Sequence, residues 1–206
     1  MKVLIVLVVI ILILAFVLGG AYFSRRNQMA IKKEAVNAAW AQVDVVLQRR
    51  ADLIPNLVAT VKGFAVHEEQ VFSEIAQARS ALIGARTPAD KIAANGALDS
   101  ALSRLLVITE NYPQLKSNEN FLRLQDELAG TENRIAVERK RYNDTLQDYN
   151  TYISLFPNSF VAGLAGFTRN DAYFKADEGS RTAPKVDFDF NKSQAPATPT
   201  PAPARP

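Results

Sequence analysis

Residues 121–156, FLRLQDELAGTENRIAVERKRYNDTLQDYNTYISLF, decide the fold. Phe121, Leu124, Leu128, Ile135, Tyr142, Leu146, Tyr149, Ile153 and Phe156 recur at intervals of three, four and seven, which draws one apolar stripe down a helix of about ten turns. Ser117 or Asn118 can cap its start. A stripe of that length on one face has to be buried against other elements.

The segments upstream supply them. Pro113 stops a third helix, for which Thr87 is the cap, Pro88 the first turn and Asp90 the acid near the positive end of the dipole; Ile92, Leu98, Leu102, Leu105 and Leu106 face inward. A second helix runs from about Glu68 to Ala85 on Val71, Ile75, Ala78 and Leu82, ended by the stretch from Gly84 to Pro88. In the first, Val36, Trp40, Val43, Leu47, Ile54, Leu57, Val61 and Phe64 alternate by three and four once Arg50 is granted a place in the series. Pro55 interrupts this helix and predicts a kink or tightened turn near Asp52 to Ile54. Short connections favour antiparallel neighbours. The expected class is all-α: an N-terminal transmembrane helix, then an elongated antiparallel bundle of three to four helices, then a disordered C-terminal tail.

The transmembrane helix rests on Val3 to Phe23, a run without a charge, followed by Arg25, Arg26, Lys32 and Lys33. About 20 apolar residues at a rise of about 1.5 Å match a hydrocarbon layer roughly 30 Å thick. The rival reading is a cleaved signal peptide with Gly19-Gly20-Ala21 near the cut, but the run exceeds the usual apolar core of such peptides and continues into Tyr22 and Phe23. Retained, those rings suit the water interface and Arg25 and Arg26 the headgroups. The basic flank predicts the amino terminus outside and the soluble domain in the cytoplasm, at the inner membrane.

Of the 206 residues, this leaves an anchor at 1–24, a bundle at 25–175 and a tail at 176–206. The tail from Ser193 to Pro206 alternates Ala, Pro and Thr and has little to bury; Val186, Phe188 and Phe190 before it read as a loose peptide on the domain rather than a short strand or docking motif. There is no cysteine, which excludes disulfides, thiolate metal sites and a cysteine nucleophile. The 24 basic and 21 acidic residues are interspersed, so no basic stripe marks a nucleic-acid footprint.

One stretch of the first helix carries a likeness. Leu47-Gln48-Arg49-Arg50-Ala51-Asp52-Leu53-Ile54-Pro55-Asn56-Leu57-Val58, followed by Thr60 to Ala65 and His67-Glu68, resembles the signature of the LemA family. So do Asn111-Tyr112-Pro113-Gln114-Leu115-Lys116 and the run from Arg139-Lys140-Arg141-Tyr142-Asn143 through Phe156-Pro157. The resemblance implies a bacterial single-pass membrane protein with a helical-bundle domain and no established reaction.

Three features invite a functional reading. Arg50 holds a seam position otherwise apolar, and a buried guanidinium needs a carboxylate. With the first soluble helix ending near Val66 and the fourth starting near Asn118, Arg50 lies level with Arg134 to Glu138, so an Arg50–Glu138 pair is expected, with Asp52 or Glu132 as substitutes and two charges snorkelling to solvent as the bland competitor. His67 beside Glu68 and Glu69 lacks the further ligands that a zinc site requires and reads as a surface histidine. The apolar stretch from Phe156 to Phe167, with Phe160, Val161, Leu164 and Phe167, falls level with roughly residue 30 and reads either as a lipid-interface contact or as a lid on the bundle's open end.

No nucleophile with its base, paired carboxylates, metal ligands or phosphate loop stands out, and no cofactor is implied. The sequence therefore points to a membrane-anchored scaffold or adaptor whose partners are membrane lipid, other membrane or envelope proteins, or a second copy of itself. The alternative class is an enzyme, or an obligate subunit or regulator of a membrane protease or sensor kinase, with an unseen site.

Overall fold

The computed structural model describes residues 1–175, so the expectations for Val186, Phe188, Phe190 and the remaining tail lie outside the described residues. Six helices follow in order: α1 (Lys2–Lys62), α2 (Glu69–Gly84), α3 (Pro88–Thr109), α4 (Pro113–Lys116), α5 (Glu119–Ser154) and α6 (Asn158–Ala165). No strand occurs among the described residues. Thr87 caps α3 by accepting from the Asp90 amide, and Asn118 caps α5 by accepting from the Phe121 amide.

At 61 residues, α1 is about 90 Å long. Its leading apolar run makes no internal contact of consequence; packing begins at half-buried Tyr22 and is complete at Met29. Beyond that point the predicted stripe faces inward, with Val36, Val43, Leu47, Arg50, Ile54, Leu57 and Val61 buried and Trp40 and Phe64 half-buried. The most extensive helix contact joins α1 to α5. Lys32 meets Asp148, Trp40 meets Tyr142 and Arg50 meets Glu132, so the pair is antiparallel. The seam of α5 is buried at Phe121, Ile135, Tyr142, Leu146, Tyr149 and Ile153. Phe156, expected at its end, is instead 87% exposed, because α5 stops at Ser154 and the chain turns. Leu106 of α3 is likewise exposed rather than inward.

Pro55 does not end α1. Lacking an amide hydrogen, it cannot donate to the Ala51 carbonyl, which is left without its helical partner. The Arg79 Nε–H of α2 donates to that carbonyl at 2.7 Å. The carbonyl freed by the proline is thus an attachment point for the α2–α3 hairpin, whose two helices are further tied by Arg104 to Glu74 at 2.6 Å. Lys91 of α3 also pairs with Asp44 of α1.

After α6, Gly166 adopts the left-handed conformation (φ 74°) that a glycine tolerates best, and the chain turns back along α5. Two asparagines hold this returning strap by imitating backbone pairing. Asn150 donates to the Asn170 carbonyl at 2.6 Å and accepts from the Asn170 amide at 3.0 Å; Asn143 does the same with Phe174 at 2.8 and 3.0 Å. The strap delivers Phe174 onto Trp40 and Tyr142, with ring centroids 6.1 and 6.0 Å apart.

Asn150→Ala removes these two bonds and a third, from Asn150 Nδ2 to the Tyr173 hydroxyl at 2.8 Å, from a buried site and is expected to cost about 1–3 kcal/mol in denaturant unfolding, with faster proteolysis between residues 168 and 175. Burial pushes the Tyr142 hydroxyl above its ordinary pKa of 10.0. The folded state therefore favours the neutral phenol: its contribution is intact below pH about 10 and is lost as pH rises through the raised value. Unfolding curves taken across that range are expected to show the loss, and Tyr142→Phe to reduce it.

Candidate functional site

The polar demand placed on Arg50 is met from two other helices. The residue is 7% exposed. Its Nη1 donates to Asn95 Oδ1 of α3 at 3.1 Å and forms ion pairs with Asp99 of α3 and, at 3.1 Å, with Glu132 Oε2 of α5. Asn95 in turn donates to Asp99 Oδ2 at 2.9 Å, and Arg139 Nη2 of α5 lies 3.6 Å from the same oxygen. The cluster thus holds two guanidinium groups against two carboxylates. Its charges cancel internally, and it presents no surplus field to a small ion.

The expected Arg50–Glu138 pair does not form. In the register that sets Lys32 against Asp148 and Trp40 against Tyr142, Glu138 stands level with about residue 44, some six residues or about 9 Å along the axis from Arg50. Its recorded ion-pair partner is Arg141 on its own helix, at 3.9 Å. Glu132, the substitute, takes the contact, and Asp99 joins it. Asp52 faces outward and accepts from Gln48 at 2.9 Å.

Sequence reasoning passed over Asn95, Asp99 and Arg139. Asn95 carried a signal, because it continues the inward spacing of Leu98, Leu102 and Leu105 and is 1% exposed. Asp99 and Arg139 carried none, since ordinary surface charges occupy the same kind of position.

The remaining signature residues divide by face. Leu47, Ile54 and Leu57 are buried and Leu53 is half-buried, whereas Gln48, Arg49, Asp52, Pro55 and Asn56 are exposed. His67 is exposed, and no group of three His, Cys, Asp or Glu side chains poised for a metal occurs among the described residues.

Above the charged cluster lies an open cleft of about 490 Å³. Arg50 and Leu57 of α1 form its floor, Leu102 and Leu106 of α3 one wall, and Leu128 and Glu132 of α5 the other. Helices α3 and α5 both lie on α1 but hardly touch each other. The cleft is therefore an open corner of the bundle, with leucines along it, Arg50, Asp99 and Glu132 at one end and Gln125 and Asp126 toward the other.

At the opposite end of the domain, Tyr22 is half-buried, Phe23 and Arg26 are exposed, and Arg25 Nη1 donates to Asn158 Oδ1 at 2.6 Å. Phe160 and Leu164, among the candidate interface residues, are exposed. Val161 is not: it is 7% exposed because the inner face of α6 packs on the core, and Phe167 is half-buried there too.

A family model described as the LemA family matches residues 39–188. Similar proteins include magnetosome protein MamQ 2 of Paramagnetospirillum magneticum, 27% identical over 73% of this chain and 65% of that one. Magnetosome protein MamQ of Magnetospirillum gryphiswaldense is 25% identical over 75% and 66%. Protein LemA of Metamycoplasma hominis is 25% identical over 78% and 73%. The chain spans just under two-thirds of the length of the magnetosome relatives.

The cluster predicts an asymmetry. Asp99→Leu with Glu132→Leu strands a buried guanidinium and is expected to cost about 3–5 kcal/mol in denaturant unfolding. Arg50→Met leaves two carboxylates that reach solvent and is expected to cost less, while Glu138→Gln shifts stability by under about 1 kcal/mol.

Proposed function

The chain belongs to the LemA family, and from that premise we propose that it is a membrane-anchored helical scaffold or adaptor of the bacterial cell envelope, without catalytic activity of its own. The observation that carries this reading is the uninterrupted course of α1 from an apolar segment long enough to cross a membrane into the core of the bundle. A single rigid helix fixes the height of every surface on the domain relative to the bilayer. Membrane association is the coarse property that the leading helix supports. None of the relatives' names states a reaction.

The surface assigned to partners is the cleft between α3 and α5. Three helices already enclose it, and a fourth helix with an apolar face completes such a corner. Its lining on α1 runs from Arg50 to Leu57, about 10 Å, which accommodates roughly two turns of a partner. The occupant is a helix of another membrane or envelope protein, or of a second copy of this chain. The basic flank of Arg25, Arg26, Lys32 and Lys33 supports placing the domain on the cytoplasmic side of the inner membrane.

Photo-crosslinking residues introduced at Leu106 and Asp126 in native membranes test this. Discrete protein adducts are expected from both positions and not from Arg49, which is exposed on α1 about 100° around the helix from Arg50, with mass spectrometry identifying the partner. Equal labelling from the cleft and from Arg49, or no protein adduct from any position, would overturn the assignment.

A further inference from the structure

The chain from Tyr149 to Thr168 contains no charged residue, although α5 before it is among the most highly charged parts of the protein. Its final helix, α6, has two faces of different destiny. Asn158, Val161 and Ala162 are buried against the bundle. Phe160 and Leu164, about one turn apart on the other face, are 73% and 69% exposed, and Phe156, in the turn that leads into the helix, is 87% exposed. These three large apolar side chains, with Leu155 exposed beside them, form a stripe that water alone does not favour.

The height of this stripe is set by a hydrogen bond. Arg25 Nη1 donates to Asn158 Oδ1 at 2.6 Å, and Asn158 also donates to the Tyr152 carbonyl at 3.1 Å, so the start of α6 is fastened to α1 at Arg25. Arg25 lies two residues, about 3 Å of helix, beyond Phe23, where the apolar run ends. The sequence placed this stretch level with roughly residue 30; the structure brings it nearer, level with about residue 26. Half-buried Tyr22 and exposed Phe23 contact one another there with ring centroids 5.4 Å apart. Exposed Arg26 follows them directly on α1, at the level where headgroup phosphates lie beside a spanning helix.

Resting on the membrane-anchored reading above, we infer that α6 is a second membrane contact: a short interfacial helix whose outer face, Phe160 and Leu164, together with Phe156 in the turn before it, enters the boundary of the same bilayer that α1 crosses. Its inner face closes the end of the bundle, so both roles expected of this stretch belong to one helix. The contact converts a single-point tether into a two-point stance. The bundle then has a defined tilt and rotation about the anchor, which holds the cleft between α3 and α5 in one orientation to the bilayer. Since the anchor already confines the helix to the surface, three side chains suffice where a free peptide of eight residues would not bind.

The absence of cysteine makes the test direct. Single cysteines at Phe160 and Leu164 in the full chain, labelled with a nitrobenzoxadiazole fluorophore and reconstituted in phosphatidylcholine–phosphatidylglycerol vesicles, are expected to show blue-shifted emission. They are also expected to be quenched more strongly by lipid spin-labelled near the headgroup than by lipid labelled near the chain end. Ile10→Cys reports the anchor and is expected to be quenched most by the deep label; Val45→Cys, exposed on α1 about 30 Å above Phe23, is expected to be unquenched. Unquenched, red emission from positions 160 and 164 with Ile10 quenched would overturn the inference and leave the anchor reading standing. Blue emission without lipid quenching would overturn it in favour of burial against a second protein. Loss of quenching at Ile10 would remove the anchor itself, and the inference with it.

Discussion

Adjacent residues on α1 carry two polar groups that a helix in an apolar interface cannot satisfy alone. Arg50 buries a guanidinium and Ala51 has a carbonyl deprived of its partner by Pro55. Each is answered from outside: the first by Asp99 and Asn95 of α3 and Glu132 of α5, the second by Arg79 of α2. One turn of α1 therefore has bonds to all three other long helices. Apolar packing alone tolerates sliding by a heptad, whereas a buried charge mispaired by one heptad is left without a counter-ion. These bonds thus specify register, and the seam residues supply most of the burial.

Two groups of apolar side chains on the domain stand out as unsatisfied. One lines the cleft between α3 and α5, the other forms the stripe at α6. They lie at different heights on α1, the first around residues 50–57 and the second beside residue 25. The long helix links them mechanically. Several of its acids and bases are engaged in ion pairs between helices, such as Lys32 with Asp148 and Arg104 with Glu74.

The strap from Phe167 to Phe174 shows the same economy of means. It has no regular structure of its own, and its backbone is held by two side-chain amides one heptad apart on α5. Its aromatic end then fills the space beside Trp40 and Tyr142, where edge-to-face contacts add about 0.5–1.5 kcal/mol per pair to simple burial.

Local patterns were enough to locate the apolar leading segment, the four long helices, the cap at Thr87, the pair Ser117 or Asn118 from which α5 takes its cap, and the inward stripes of α1 and, short of Phe156, α5, because spacing, capping and length are properties of a few neighbouring residues. They also marked Arg50 as a group requiring a carboxylate. Which carboxylate it took, and that Arg79 would answer the carbonyl freed by Pro55, depended on helix registers accurate to about one turn, and loops of unknown geometry spoil a count of residues by that much. The exposure of Leu106, the two-faced placement of α6 and the vacancy between α3 and α5 arise from how helices distant in sequence are arranged around α1. Only the assembled chain decides them, since the same apolar side chain serves equally in a core, a groove or a lipid boundary until its neighbours are in place.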